Sequence, residues 1–169
     1  MELTDLASKE QWEEFEKVIH NRSGMNSCVY NNQGNRITSY MEFANEVCPA
    51  IKSYPEGIAA ICAMVNQHFG AILAKTKQPL IDECDAGFVK FAVPILHNGE
   101  FLGTVGGCGH LLFDGEVETF FIEKAIGEND LKLDEKMGTI KKITDKEVHE
   151  LIDFVQKYLD DLLVKKPEI

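Results

Sequence analysis

Basic residues are in the minority in this chain: 17 Lys and Arg stand against 28 Asp and Glu, leaving a net charge of −11. A surface that tracks phosphates draws its affinity from Lys and Arg displacing counterions, so direct nucleic-acid binding is not expected. No apolar run reaches the ~20 residues of a membrane span. Met1 to Trp12 is acidic and lacks the apolar centre of a secretory signal. Disulfide scaffolding is missing too. The five cysteines, Cys28, Cys48, Cys62, Cys84 and Cys108, are odd in number and widely spaced, which predicts reduced thiols in a cytoplasm. Catalytic signatures are equally scarce. There is no G-x-S-x-G elbow, P-loop, strand-borne G-x-G-x-x-G, C-x-x-C or H-E-x-x-H, and the chain does not read as an enzyme.

What is present describes one ordinary globular domain. The chain has 169 residues, 44% hydrophobic and 27% charged, enough to bury a core. Ser8-Lys9-Glu10-Gln11 is a capping box, with Trp12, Phe15, Val18 and Ile19 following at helical spacing and Gly24 as the stop. Residues 26–30 and 36–40 read as strands around the polar turn Asn31-Asn32-Gln33-Gly34-Asn35. Phe43 to Ser53 reads as a helix broken at Pro49. Pro55 opens another, whose apolar stripe holds Ile58, Ile61, Cys62, Val65, Phe69 and Ile72. A helix is expected over Val117 to Ile126. Thr144-Asp145-Lys146-Glu147 caps a last helix with Val148, Leu151, Val155, Tyr158 and Leu162 at 3-4 spacing, broadened by Ile152, Leu159 and Leu163.

Strands are also expected at Pro79 to Cys84, Phe88 to Leu96 and Phe101 to Phe113, the last two joined by Asn98-Gly99, a two-residue hairpin signal. Uninterrupted pairing then sets His97 against Glu100, Ile95 against Leu102, Val93 against Thr104, Phe91 against Gly106 and Val89 against Cys108. Strand period puts Val89, Phe91, Val93, Ile95, Leu102, Cys108, His110 and Leu112 on one apolar face, with Lys90 opposite. Gly103, Gly106, Gly107 and Gly109 leave space that either a ligand or a close helix would fill. The element order suggests an α+β fold, an antiparallel sheet with helices packed on one face and a long C-terminal helix.

The chemically loaded residues are the thiols and one imidazole. Cys62 sits on an inward helix stripe, Cys84 leads into the hairpin, and Cys108 and His110 share its apolar face. Together with Cys48 they could converge as a soft-metal, Fe–S or haem site, and they could equally be core thiols that behave as small hydrophobes. His110 is open to the same two readings, a pocket group or a hydrogen-bonded core residue. Only Cys108 with His110 offers a nucleophile beside a base.

The stretch Phe43 to Leu112 resembles the PocR sensory domain, a ligand-binding module of bacterial and archaeal regulators. The matching text is Cys48-Pro-Ala-Ile-Lys-Ser, Pro55-Glu-Gly, Cys62, Lys77-Gln-Pro, Cys84-Asp-Ala-Gly87, Phe91-Ala-Val-Pro-Ile95 and Gly99-Glu-Phe-Leu-Gly103-Thr. Asn32-Gln-Gly34 looks like the opening hairpin of PAS-like sensors. The resemblance implies a PAS/GAF-like fold enclosing a small organic molecule such as a short-chain diol or hydrocarbon derivative, with Cys48, Cys62 and Cys84 at family cysteine positions near the pocket. Where the family closes its last strand with Gly-Gln, this chain has Cys108-Gly109-His110. That departure favours a metal, Fe–S cluster, haem or corrinoid more than the family average would.

These readings combine into one PocR-like sensory domain over 1–169. It would have an N-terminal helix (1–24), a sensor core (25–126) and a C-terminal signalling or dimerisation helix (144–164). Ligand contacts are expected from Cys62, Cys84, Val89, Phe91, Val93, Cys108 and His110. The alternative metal site would take Cys48, Cys62, Cys84, Cys108 and His110. The width of the last helix's apolar band suggests a homodimer. Only Lys165-Lys166-Pro167 and two more residues follow that helix, so the chain is either a sensor acting in trans or a piece of a longer protein.

Overall fold

Residues 1–127 and 131–164 are described by a computed structural model; Lys165, Lys166 and Pro167 lie outside the described residues. A short helix α1 (Leu3–Leu6) precedes α2 (Lys9–Ser23), and the indole Nε1 of the fully buried Trp12 donates to the Leu3 carbonyl at 2.9 Å. Ser8 and Gln11 form the reciprocal cap, and Gly24 ends the helix at φ 72°. After β1 (Asn26–Asn31), the expected second strand is reduced to a single bridge between Tyr30 and Arg36. Side chains hold this segment instead, because Arg36 and Thr38 both reach the buried Glu16 carboxylate.

Pro49 does not break α3 (Val47–Lys52). It falls in the first turn, where backbone N–H groups have no intrahelical partner to lose. Next comes α4 (Pro55–Gly57), a π-helical turn (Ile58–Cys62) and α5 (Ala63–Thr76). The wide turn carries one extra residue, so the expected stripe is out of phase at its start. Ile58 is 42% exposed, while Ile61, Phe69 and Leu73 are buried. Contrary to the sequence expectation, the continuous run Pro55–Thr76 is long and apolar enough to cross a bilayer by length and composition; here it packs along the sheet.

The sheet is completed by β2 (Leu80–Glu83), β3 (Val89–His97), β4 (Glu100–Leu112) and β5 (Lys142–Ile143). Its order is β1-β4-β3-β2, all antiparallel, with β5 pairing in parallel with Leu111 and Leu112 of β4. Asn98 and Gly99 turn the hairpin at φ 50° and 80°, as a type I′ turn requires. Also present are α6 (Thr119–Ile126), α7 (Leu133–Lys136), a 3₁₀ turn (Met137–Thr139) and α8 (Asp145–Val164), whose first turn is capped by Thr144 and Glu147.

The hairpin register departs from uninterrupted pairing. Irregularities lie between Ile95 and Leu96 and between Val89 and Lys90, so Ile95 faces Gly103, Val93 faces Val105, Phe91 faces Gly107, Lys90 faces Cys108 and Val89 faces His110. The extra residues on β4 are Leu102 and Gly109. Between those bulges every β4 residue takes the face opposite to the expected one, since the side-chain period is two. His110 stays on the side of Val89 and Phe91, and Cys108 does not.

Helices cover both faces of the sheet, not one. Val89, Phe91, Val93, Ile95 and Val105 pack with Trp12, Phe15 and Ile19 of α2 and with α8. On the other face Phe69 and Leu73 of α5 pack on Ala92. The wide apolar band of α8 is covered inside the chain: Val148, Val155 and Leu159 are fully buried or nearly so, and Tyr158 stacks on Phe15 at 4.4 Å. That intramolecular cover removes the reason for expecting a homodimer through this helix.

Candidate functional site

A partly open cavity of about 50 Å³ lies between the α5 side of the sheet and a helical wall made by α3, the π-helical turn and α5. That is room for a few water-sized groups. Asn26 and Tyr30 come from β1, Lys90 from β3, and Cys108 and Gly109 from β4. Their alignment follows from the register, since Asn26 and Lys90 flank Cys108 from opposite sides. The helical wall supplies Cys48, Ile51, Lys52, Ile61, Cys62, Val65 and Asn66, and the approach to β3 adds Cys84, Ala86 and Phe88.

The second bulge is what opens this corner. Gly109 has φ 104°, and a Cβ there would sit 2.9 Å from Asn26 Nδ2 and 3.0 Å from Ala44 Cβ. Asn45 fixes the bulge to the helical layer: its amide donates to the Gly109 carbonyl at 2.7 Å and approaches Cys48 Sγ at 3.4 Å, while its Oδ1 accepts from the Cys48 N–H at 2.8 Å. Asn26 donates to Cys108 Sγ at 3.7 Å.

Cys48, Cys62, Cys84 and Cys108 thus line one cavity. Burial pushes the Cys48 thiol up to about 12 and the Cys84 thiol up to about 11. Cys108 is also raised by burial, with Lys90 pulling the other way. Cys48, Cys84 and Cys108 are therefore protonated at neutral pH and make poor nucleophiles. Among the described residues no three His, Cys, Asp or Glu side chains are placed to hold a metal ion. A haem or corrinoid ring does not fit the space.

Four expected contacts lie elsewhere. Val89, Phe91 and Val93 face α2 and α8, because the most apolar face of the hairpin is spent on the main core. His110 shares that side. Its Nε2 lies 2.7 Å from the Ser23 carbonyl, and its Nδ1 is buried without a hydrogen-bond partner among the described residues, which fits a neutral ring protonated on Nε2. Cys108 and His110 are on opposite faces and cannot work as a nucleophile and base.

Burial lowers the His110 pKa below its ordinary 6.5, against the pull of the Ser23 bond. Below that value the unfolded chain takes up a proton that the folded chain refuses, so the stability contributed by neutral His110 is present above it and lost as pH falls through the folded value. The urea midpoint should fall between about pH 7.5 and about pH 5.5, and fall less in His110→Gln. Equal falls in both proteins would contradict this role.

Lys90 is the site residue that sequence reasoning left on the wrong side of the argument. It is 4% exposed, and its Nζ is 3.9 Å from Cys28 Sγ, 5.3 Å from the Phe69 ring centre and 5.6 Å from that of Tyr30. Burial works against its charge, but negative charge on the surrounding sulfurs as they ionise, Cys28 first, leaves the net displacement upward. A lone lysine inside the apolar run Phe88 to Leu96 was the available signal, since strands buried on both faces read as continuous apolar runs. Asn26, Tyr30, Lys52 and Asn66 carried no comparable signal.

The chain matches the family described as "Sensory domain found in PocR" over residues 5–166. It is 28% identical over 96 residues to the "Regulatory protein PocR" of Salmonella typhimurium, a stretch that covers 57% of this chain and 31% of that protein. The chain therefore spans about a third of the length of the curated relative it matches. No solved structure gives a significant match.

Proposed function

The chain belongs to the family of the sensory domain found in PocR, and from that premise we propose that it senses a small organic molecule enclosed in the cavity beneath α5. The observation that carries this reading is the cavity itself. Ile51, Ile61, Val65 and Phe88 give it an apolar body, and Asn26, Tyr30 and Lys90 give it a few convergent polar groups, as small-molecule sites are built.

The setting supports a regulatory role, in transcription control or signal transduction. Lys90 faces the cavity, while Val89 and Phe91 on either side of it pack beneath α2 and α8. A ligand that orders β3 acts on both layers through one strand, and α8 is the element placed to carry the change onward. No reaction is assigned to the domain, because Cys48, Cys84 and Cys108 are protonated thiols and His110 lies on the face away from Cys108. Five free cysteines suit a reducing compartment, a cytoplasm.

Thermal unfolding of the full chain against short-chain alcohols, diols, amides and carboxylates tests the reading. A member present at about 100 times its Kd should add about 2.7 kcal/mol, which for a chain of this size raises Tm by roughly 5–11 °C. Val65→Phe, which fills the cavity, should abolish the shift and leave the circular dichroism unchanged. The reading is lost if no member moves Tm, or if the shift survives in Val65→Phe.

A further inference from the structure

The cavity combines a buried cation with an absence of anions. Lys90 is nine-tenths buried and more, lines the cavity, and forms no ion pair with a carboxylate among the described residues. An ammonium carries three N–H donors, and among the described residues the one hydrogen bond of the Lys90 side chain goes to a sulfur, Cys28 Sγ at 3.9 Å. The faces of Phe69 and Tyr30 offset part of the desolvation, but neither supplies an oxygen. Lys52 adds a second positive side chain, and no described lining residue is Asp or Glu.

That lining runs against the rest of the molecule, whose net charge is −11. A chain this acidic repels small anions from most of its surface, so a cationic interior has a selective use only for a ligand that brings its own negative oxygen. The neighbouring wall is apolar. Ile51, Ile61 and Phe88 are buried there.

We propose that the ligand is a small aliphatic carboxylate, its oxygens accepting from Lys90 Nζ and its hydrocarbon end resting on Ile51, Ile61 and Phe88. This rests on the small-molecule reading of the cavity and narrows it to one chemical class. Charge-assisted hydrogen bonds in a desolvated site exceed neutral ones. Lys90 therefore discriminates between a carboxylate and the amide of the same shape.

The test is calorimetric titration of the full chain with propionate and with propionamide. Propionate is expected to bind at least about tenfold more tightly. Lys90→Met should remove that preference with the circular dichroism unchanged. If Lys90→Met does not fold, the comparison of the two ligands on the unaltered chain decides alone. Equal affinities, or a propionate preference that survives in folded Lys90→Met, overturn the carboxylate assignment. If a neutral alcohol or diol binds and propionate does not, the assignment falls while the small-molecule reading stands. If nothing in the wider ligand set binds, both fall together.

Discussion

Phe91→Ala is expected to lower the stability of the domain by about 3–5 kcal/mol while leaving the affinity of the folded fraction for its ligand nearly unchanged. Phe91 is fully buried in the core shared by β3, α2 and α8, and a Cβ at Gly107 would sit 3.2 Å from its ring. Truncation leaves a hole among Trp12, Phe15 and the strand side chains, and close-packed interiors refill such holes only in part. The cavity is on the other side of the same strand. Urea unfolding measures the first half of the expectation, and titration at a temperature where the variant is still folded measures the second. A variant that kept its stability and lost its ligand would put Phe91 in the binding site and reverse the two faces of the sheet.

Arg36→Ala should be nearly as costly. Glu16 is a fully buried carboxylate, and burial raises its pKa even though Thr38, the Val29 N–H and Arg36 all favour its charged form. The Val29 N–H donates to it at 2.9 Å, and the Arg36 guanidinium stands 3.6 Å away while also donating to the Tyr40 carbonyl. Removing the cation leaves an uncompensated buried charge, which typically costs about 3–5 kcal/mol. Arg36→Ala combined with Glu16→Gln should recover part of that loss, because the stranded charge is gone. A double variant no more stable than Arg36→Ala would mean that the guanidinium acts by packing and by its bond to Tyr40, not by pairing with Glu16.

Local chemistry was legible in the sequence, and long-range placement was not. Ser8 with Gln11, Thr144 with Glu147, the Gly24 stop and the Asn98-Gly99 turn act within a few residues of themselves, and each appears where its spacing predicts. The bulge at Gly109 could not be read that way. β4 offers Gly103, Gly106, Gly107 and Gly109, and what singles out Gly109 includes a hydrogen bond from Asn45, 64 positions away. The unread bulge at Leu102 moved Cys108 to the other face, and the one at Gly109 returned His110 to the side of Val89 and so separated the two.

The cavity was misplaced for a related reason. The most apolar face of a hairpin is the natural guess for a pocket, but it is also the face that the largest helices compete to cover. Here α2 and α8 take it, and the mixed face with Lys90 is left to enclose space. The apolar band of α8 likewise appeared too wide for one domain because the reach of α2 and Tyr158 across it was not visible in the residues. Cys48, Cys62, Cys84 and Cys108 do line one cavity, Cys108 from the face opposite to the expected one, and among the described residues they are not in a coordinating arrangement.

The π-helical turn at Ile58–Cys62 gives the wall of the cavity a spare residue. Elsewhere in that helix, losing one residue would swing all that follows by about 100° and carry Phe69 and Leu73 off the sheet. Within the wide turn the same loss is absorbed as an ordinary α-helix, with Phe69 and Leu73 still seated and only the side chains around Ile61 and Cys62 exchanged. A lineage can therefore gain or shed a residue there and change what the cavity feels, while the contacts that hold the domain together are inherited intact.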